Sequence, residues 1–119
     1  MSGIINQIGS KSKIVNGNVG IKVTPEANWD ANHDAIQIGK GGSLSSRDNF
    51  NQTAIANNAI CDSDGSGDWM SANYINNGHA SAYAQWNIGE HRFLVSNASG
   101  SAGGGITWTQ AMTISNAGN

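Results

Sequence analysis

From Gly17 onward, apolar and polar residues alternate along much of the chain with a period of two. Val19, Ile21 and Val23 fall on one side of this alternation and Gly20 and Lys22 on the other, ending at Thr24-Pro25. Successive side chains of a strand point to opposite faces, so this spacing predicts a half-buried strand. Residues 26–34 read as a polar loop. Residues 35–38 are a second short strand with Ile36 and Ile38 facing inward, and residues 39–42 turn the chain. Residues 43–51 are polar and irregular around Leu44 and Phe50. Candidate strands follow at 52–56 and 59–61, separated by Asn57-Asn58, a pair that tolerates positive φ. A turn-rich loop over 62–68 leads to a strand at 69–75, closed by Asn76-Asn77-Gly78. Ala82, Ala84, Trp86 and Ile88 alternate with Tyr83, Gln85 and Asn87. A tight hairpin at Ile88-Gly89-Glu90 then leads into 91–96, where Phe93 and Val95 share a face. In the last strand Ile106, Trp108, Met112 and Ile114 lie on one face, interrupted by Gln110. Thr107, Thr109, Ala111, Thr113 and Ser115 lie on the other. Helical spacing would mix these two sets; strand spacing separates them.

Strands recurring every ten or so residues, with turn signals between them, predict an all-β fold of short antiparallel strands and hairpins. The N-terminal stretch differs. Ile4, Ile5, Ile8 and Ile14-Val15 give only weak periodicity, broken by Gly9 and a Ser-Lys-Ser-Lys run. Residues 1–16 therefore read as a lead-in segment before a β-rich unit over 17–119. An extended segment packed on another surface and a disordered tail are equal alternatives for it.

Composition changes this picture in one respect. The 119 residues suit one domain. Yet only 12% are charged, about half the usual share, and Leu occurs only at Leu44 and Leu94. Large apolar side chains are sparse on a chain with 16 glycines, a residue costly to order. A lone monomer of this size would be marginal, whereas disorder would call for high net charge and no periodicity. The net charge is −2 and the alternation is clean, so the chain is expected to borrow core from identical copies, as an intertwined or tightly packed homotrimer.

The six Lys and Arg residues are scattered and form no basic stripe, which argues against nucleic acid as a partner. Cys61 is the single cysteine, so no internal disulfide framework exists. It reads as a small apolar residue at a strand end, with no local histidine to make it a nucleophile. Residues 1–15 hold no apolar run of leader-peptide length and no stretch is long enough to span a membrane, so neither export by the usual secretory route nor membrane insertion is expected.

Candidate chemistry is thin, and no cofactor is expected. Asp62, Asp64, Ser66 and Asp68 place oxygen ligands at alternate positions, like the first half of a calcium loop. The later bidentate Glu is missing, since Asn73 holds its place, and the glycine is misplaced, so an ordinary solvated hairpin loop is preferred. Trp86 and Trp108 sit on apolar faces and read as core. Trp29, in the polar loop beside His33, is the best exposed aromatic for stacking on a sugar ring. Glycoside hydrolysis needs two positioned carboxylates. Glu26 and Glu90 are the only glutamates, and no pairing with an aspartate stands out. His33, His79 and His91 lack metal-ligand spacing.

Two segments resemble a known family. Asn16-Gly17-Asn18-Val19-Gly20-Ile21 is similar to a strand start found repeatedly in bacteriophage tail fibre and tailspike proteins. The stretch from Ala111 to Asn119 resembles the segment that leads into the next such start. Between them, Ala35-Ile36-Gln37-Ile38-Gly39, Asn58-Ala59-Ile60 with Asp64-Gly65 and Trp69, His91-Arg92-Phe93 and Ile106-Thr107-Trp108-Thr109 look like further strands of that unit, in order. The chain departs from the pattern at Lys22, where the family often has glycine. The resemblance implies a β-rich unit of a homotrimeric virion fibre, made in the host cytoplasm. Its role would be structural or receptor recognition, with host surface polysaccharide as a prospective partner and no catalysis. A polysaccharide depolymerase fragment and a free-standing lectin-like module are the alternatives.

Overall fold

The computed structural model describes residues 12–62 and 68–119. Within them the chain forms strands, joined by turns and one 3-10 turn, so the fold is all-β. The first described strands are β1 (Ser12–Val15) and β2 (Asn18–Ile21), paired antiparallel. The two residues between them carry positive φ, 51° at Asn16 and 82° at Gly17. That is the two-residue connection whose twist matches the flanking strands, and Asn-Gly is the dipeptide best suited to it. The sheet therefore already includes Ser12–Val15, within the lead-in segment read from the sequence.

A longer connection crosses to β3 (His33–Ile38), which runs parallel to β2. From there the sheet proceeds antiparallel through β4 (Gly42–Arg47), β5 (Thr53–Asn57), β8 (Ser81–Gln85), β9 (His91–Ser96) and β10 (Trp108–Ile114). Eight strands lie in the order β1-β2-β3-β4-β5-β8-β9-β10. The chain leaves this sheet once. After β5, Asn58 at φ 60° reverses the chain into β6 (Ala59–Cys61), which pairs with β7 (Ala72–Tyr74) as a separate ribbon. Residues 43–51, read from sequence as irregular, contain β4. Its Ser-rich sequence hides a regular alternation of buried Ser43 and Ser45 with exposed Leu44 and Ser46. The strand expected over 69–75 begins instead with a 3-10 turn, Trp69–Ser71, capped by Asp68, whose carboxylate accepts from the Met70 N–H at 2.8 Å.

The core lies on one side of the sheet. The inner face is paved with small residues, Ala35, Ser43, Ser45, Ala54, Ala56, Ala82 and Ala84, with Gln37 and Leu94. The β6–β7 ribbon, the 3-10 turn and two loops cover this floor with Trp29, Ile60, Trp69, Tyr74 and Ile106, and Trp108 joins them from the start of β10, all buried. Polar contacts join the layers. Ser43 Oγ donates to the Ala59 carbonyl at 2.9 Å, Trp29 Nε1 to Gln37 Oε1 at 2.9 Å, and Trp108 Nε1 to the Trp69 carbonyl at 2.7 Å.

This arrangement corrects the inward face read from the sequence. Ile36 and Ile38 face outward and are exposed, while His33, Ala35 and Gln37 are buried; Ile21 is likewise exposed and Gly20 buried. An aromatic cover needs a low floor, so the strand faces bearing Ala, Ser and Gly turn inward. The last strand also departs from simple alternation. A bulge between Gln110 and Met112 shifts its register, so Trp108 points into the core while Met112 and Ile114 emerge on the outer face. One extra residue reverses every side chain beyond it. Gly103-Gly104 approaches backbone of its own chain: Gly103 N–H donates to the Tyr74 carbonyl at 2.8 Å, and Tyr74 N–H to the Gly104 carbonyl at 2.9 Å.

Lys22, where the family resemblance has glycine, adopts φ 57°. A side chain there is strained by roughly 1–2 kcal/mol, partly offset by the greater freedom glycine has when unfolded. Lys22→Gly is expected to raise the unfolding free energy by about 0.5–1 kcal/mol, measured by urea denaturation.

Candidate functional site: an apolar row across the outer face

The outer face of the large sheet carries many of the branched aliphatic side chains, including Ile14, Val19, Ile36, Leu44 and Ile55. Register places one from each strand in line. Ile14 stands opposite Val19, Val19 opposite Ile36, Ile36 opposite Leu44, and Leu44 opposite Ile55. Ile55 stands opposite Tyr83, Tyr83 opposite Phe93, and Phe93 opposite Met112. The result is an apolar row across all eight strands, perpendicular to them. Five of its members are exposed, among them Ile14 at 61%, Ile55 at 59% and Met112 at 50%, and Val19, Tyr83 and Phe93 are half-buried. No charged residue interrupts it.

The rows on either side are polar or glycine at their middle, with aliphatic residues toward their ends. One runs Asp34, Ser46, Thr53, Gln85, His91 and ends at Ile114; the other runs Ile21, Ile38, Gly42, Asn57, Ser81, Val95. Shallow depressions of ≈ 410 Å³ and ≈ 400 Å³ follow the row, beside Ile36 and Leu44 and beside Ile55 and Phe93. Aromatic contacts stiffen one part: the Tyr83 and Phe93 rings stack at 4.9 Å between centroids, and Tyr83 Oη lies 2.5 Å from His91 Nδ1. The sequence pattern marks most of these residues and turns Ile36 and Ile38 inward, whereas both are exposed. Register across strands, which no single strand's pattern contains, is what aligns them.

The residues singled out from sequence lie elsewhere. Trp29 is not an exposed loop aromatic. It is 5% exposed, meets Trp69 edge-to-face at 6.3 Å, and bonds Gln37 with its indole N–H. His33 is also buried, 5.9 Å from the Trp29 ring. A buried indole offers no face to a sugar, so the stacking platform expected at Trp29 and His33 is absent. The loop looked solvated because its other residues are polar, but it folds under the sheet with Trp29 as its plug. Of the four oxygen ligands proposed for calcium, Asp64 and Ser66 lie outside the described residues. Asp62 is buried and accepts from Asn28 Nδ2, and Asp68 caps the 3-10 turn. Among the described residues no group of three or more His, Cys, Asp or Glu side chains converges as a metal site.

No protein-family model, curated protein or solved structure matches the chain.

Cys61 and Asp48 have shifted chemistry. Burial pushes the Cys61 thiol far up, reinforced by the negative charges of Asp68 and Asp30 and only partly opposed by Arg47. The thiolate is the reactive form. Cys61 is therefore expected to resist iodoacetamide at pH 8 in the native protein and to react once urea unfolds the chain, as read by mass spectrometry. Asp48 is raised by a hydrogen bond with Asp34 and by its charge. Sequence spacing missed this carboxylate pair because β3 and β4 bring it together.

Proposed function

We propose that the chain is a non-enzymatic structural and receptor-recognition module of a bacteriophage tail fibre that works as a homotrimer in the virion. The observation that carries this reading is the outer face: one apolar side chain from each strand of an eight-stranded sheet stands in a registered row, left uncovered by the described residues. Monomeric proteins rarely leave such contiguous apolar surface open. The ordered sequence likeness at 16–21 and 111–119 supplies the setting. Contact with host polysaccharide belongs to the same proposal. An amide-rich depression of ≈ 280 Å³ beside Lys40, Asn57, Asn77 and His79 is a surface where sugar hydroxyls would find neutral partners.

Light scattering on the eluting protein is the test. The expected mass is that of three chains, with no loss of viscosity when the protein is mixed with capsular polysaccharide. A compact, heat-resistant single chain would overturn the fibre reading and favour a lectin-like module; falling viscosity would favour a depolymerase fragment.

A further inference from the structure

Resting on the homotrimer reading, we propose that three copies meet row to row, and that the shared axis runs along the row, across the strands. Extent is the first argument. Seven inter-strand steps of about 4.8 Å make the row roughly 34 Å long, comparable with the molecule's longest dimension of 49 Å. Taking roughly 150–200 Å² for a large apolar side chain, the exposed fractions of the aliphatic residues on this face leave on the order of 700 Å² open. That exceeds the patch of about 300–600 Å² usual on a monomer and approaches the roughly 800 Å² each partner contributes to a stable interface.

Chemistry selects the partner. Identical faces meet without repulsion only if they carry little charge, and here Ser46, Thr53, Gln85, Gly42, Asn57 and Ser81 border the centre of the row. A nucleic acid or a charged peptide would find no counter-charge there. A second copy finds the same apolar row and the same neutral hydrogen-bonding border.

Width selects the number. Two sheets stacked as a sandwich bury several adjacent rows on each inner face. Here the continuous apolar strip is one residue wide at its centre, broadening only at the ends through Ile21, Ile38, Val95 and Ile114. A strip that narrow suits a closed three-sided core, where each sheet offers its midline to the axis and its border residues to its neighbours.

The test uses the full chain, by light scattering and thiol labelling. Ile55→Glu puts a charge at the centre of the row and is expected to drop the mass from three chains to one while far-UV circular dichroism keeps the strand signal. Ile55→Cys covers the outcome in which Ile55→Glu fails to fold. In the assembled protein its thiol should be shielded from a maleimide, whereas Asn116→Cys, outside the row, should label readily and the buried Cys61 should not. A three-chain mass with Ile55→Cys labelling as fast as Asn116→Cys overturns the row contact and leaves the homotrimer reading standing. A mass of two or four chains overturns the threefold arrangement. A single-chain mass for the unaltered protein overturns the homotrimer reading itself.

Discussion

Replacing Trp69 with alanine will lower the unfolding free energy by about 3–5 kcal/mol, the cost of deleting a fully buried large aromatic and leaving a cavity. Trp69 has no exposed surface, meets Trp29 edge-to-face, and its carbonyl receives the Trp108 indole N–H at 2.7 Å. It is thus where the cover-layer tryptophans Trp29 and Trp69 meet Trp108 of β10. The floor beneath is mostly alanine and serine, which have no flexible bulk to flow into the vacancy. Typical domains hold only about 5–15 kcal/mol in total, so the variant should lose much of its margin. Trp69→Phe is expected to cost clearly less. The Trp69 indole N–H has no hydrogen-bond partner among the described residues, so phenylalanine keeps most of the volume and breaks no bond there. Urea denaturation followed by circular dichroism separates the two variants. It must be run at fixed protein concentration, because association raises apparent stability by mass action.

Gly20→Ala should cost about 1–3 kcal/mol, at the upper end of what overpacking incurs, and the damage should be local. A Cβ on Gly20 would be driven into the Val23 carbonyl oxygen and would approach Pro25 Cδ to 2.7 Å. The first obstacle is backbone and the second a closed ring, so neither yields by changing rotamer. Gly20 pairs with Gln37 in the parallel ladder between β2 and β3. Gln37 in turn accepts hydrogen bonds from the Glu26 N–H and the Trp29 indole through its Oε1. A methyl group at Gly20 therefore pushes β2 away from the residue that pins the crossover loop. Hydrogen exchange should show lost amide protection at 18–21 and 36–38 with β8 and β9 unchanged. Uniform loss across the sheet would mean that β2 folds as one unit with the rest.

These two sites show what the sequence could and could not reveal. Strand positions were legible wherever alternation was clean and a turn residue bounded it. Asn16-Gly17, Asn58 and Gly89 all adopt the positive φ their turns require. Which face turns inward was not legible. Alternation establishes that two faces differ, and the larger apolar side chains are ordinarily inside. Here most of the large residues of the core arrive from loops, the 3-10 turn and the β6–β7 ribbon, so the strands β3, β4, β5 and β8 present mainly small residues inward. Trp29 was misjudged for the same reason: a tryptophan among asparagines looks solvated until the loop is seen to fold under the sheet. The face reversal in β10 depends on a bulge at Ala111, where nothing in the local sequence marks an extra residue. Serine-rich β4 was hidden because its inward positions are polar yet tolerated, with Ser43 bonded to the Ala59 carbonyl. The apolar row was beyond reach of any single-strand pattern, since it exists only once seven ladders set the register.

The direction of the row bears on how the molecule would carry a load. Tension applied along the row acts along the hydrogen bonds between strands, which lie across the strand direction, so the ladders are loaded in series and the weakest yields first. The ladder between β2 and β3 joins only three residue pairs, in the parallel register that is slightly weaker per residue. The other six join four to six pairs. A stretched molecule would therefore release the β1–β2 hairpin first. The freed connection, residues 22–28, would pay out roughly 24 Å at about 3.4 Å per residue before the buried Trp29 stopped it, leaving six strands intact behind that anchor.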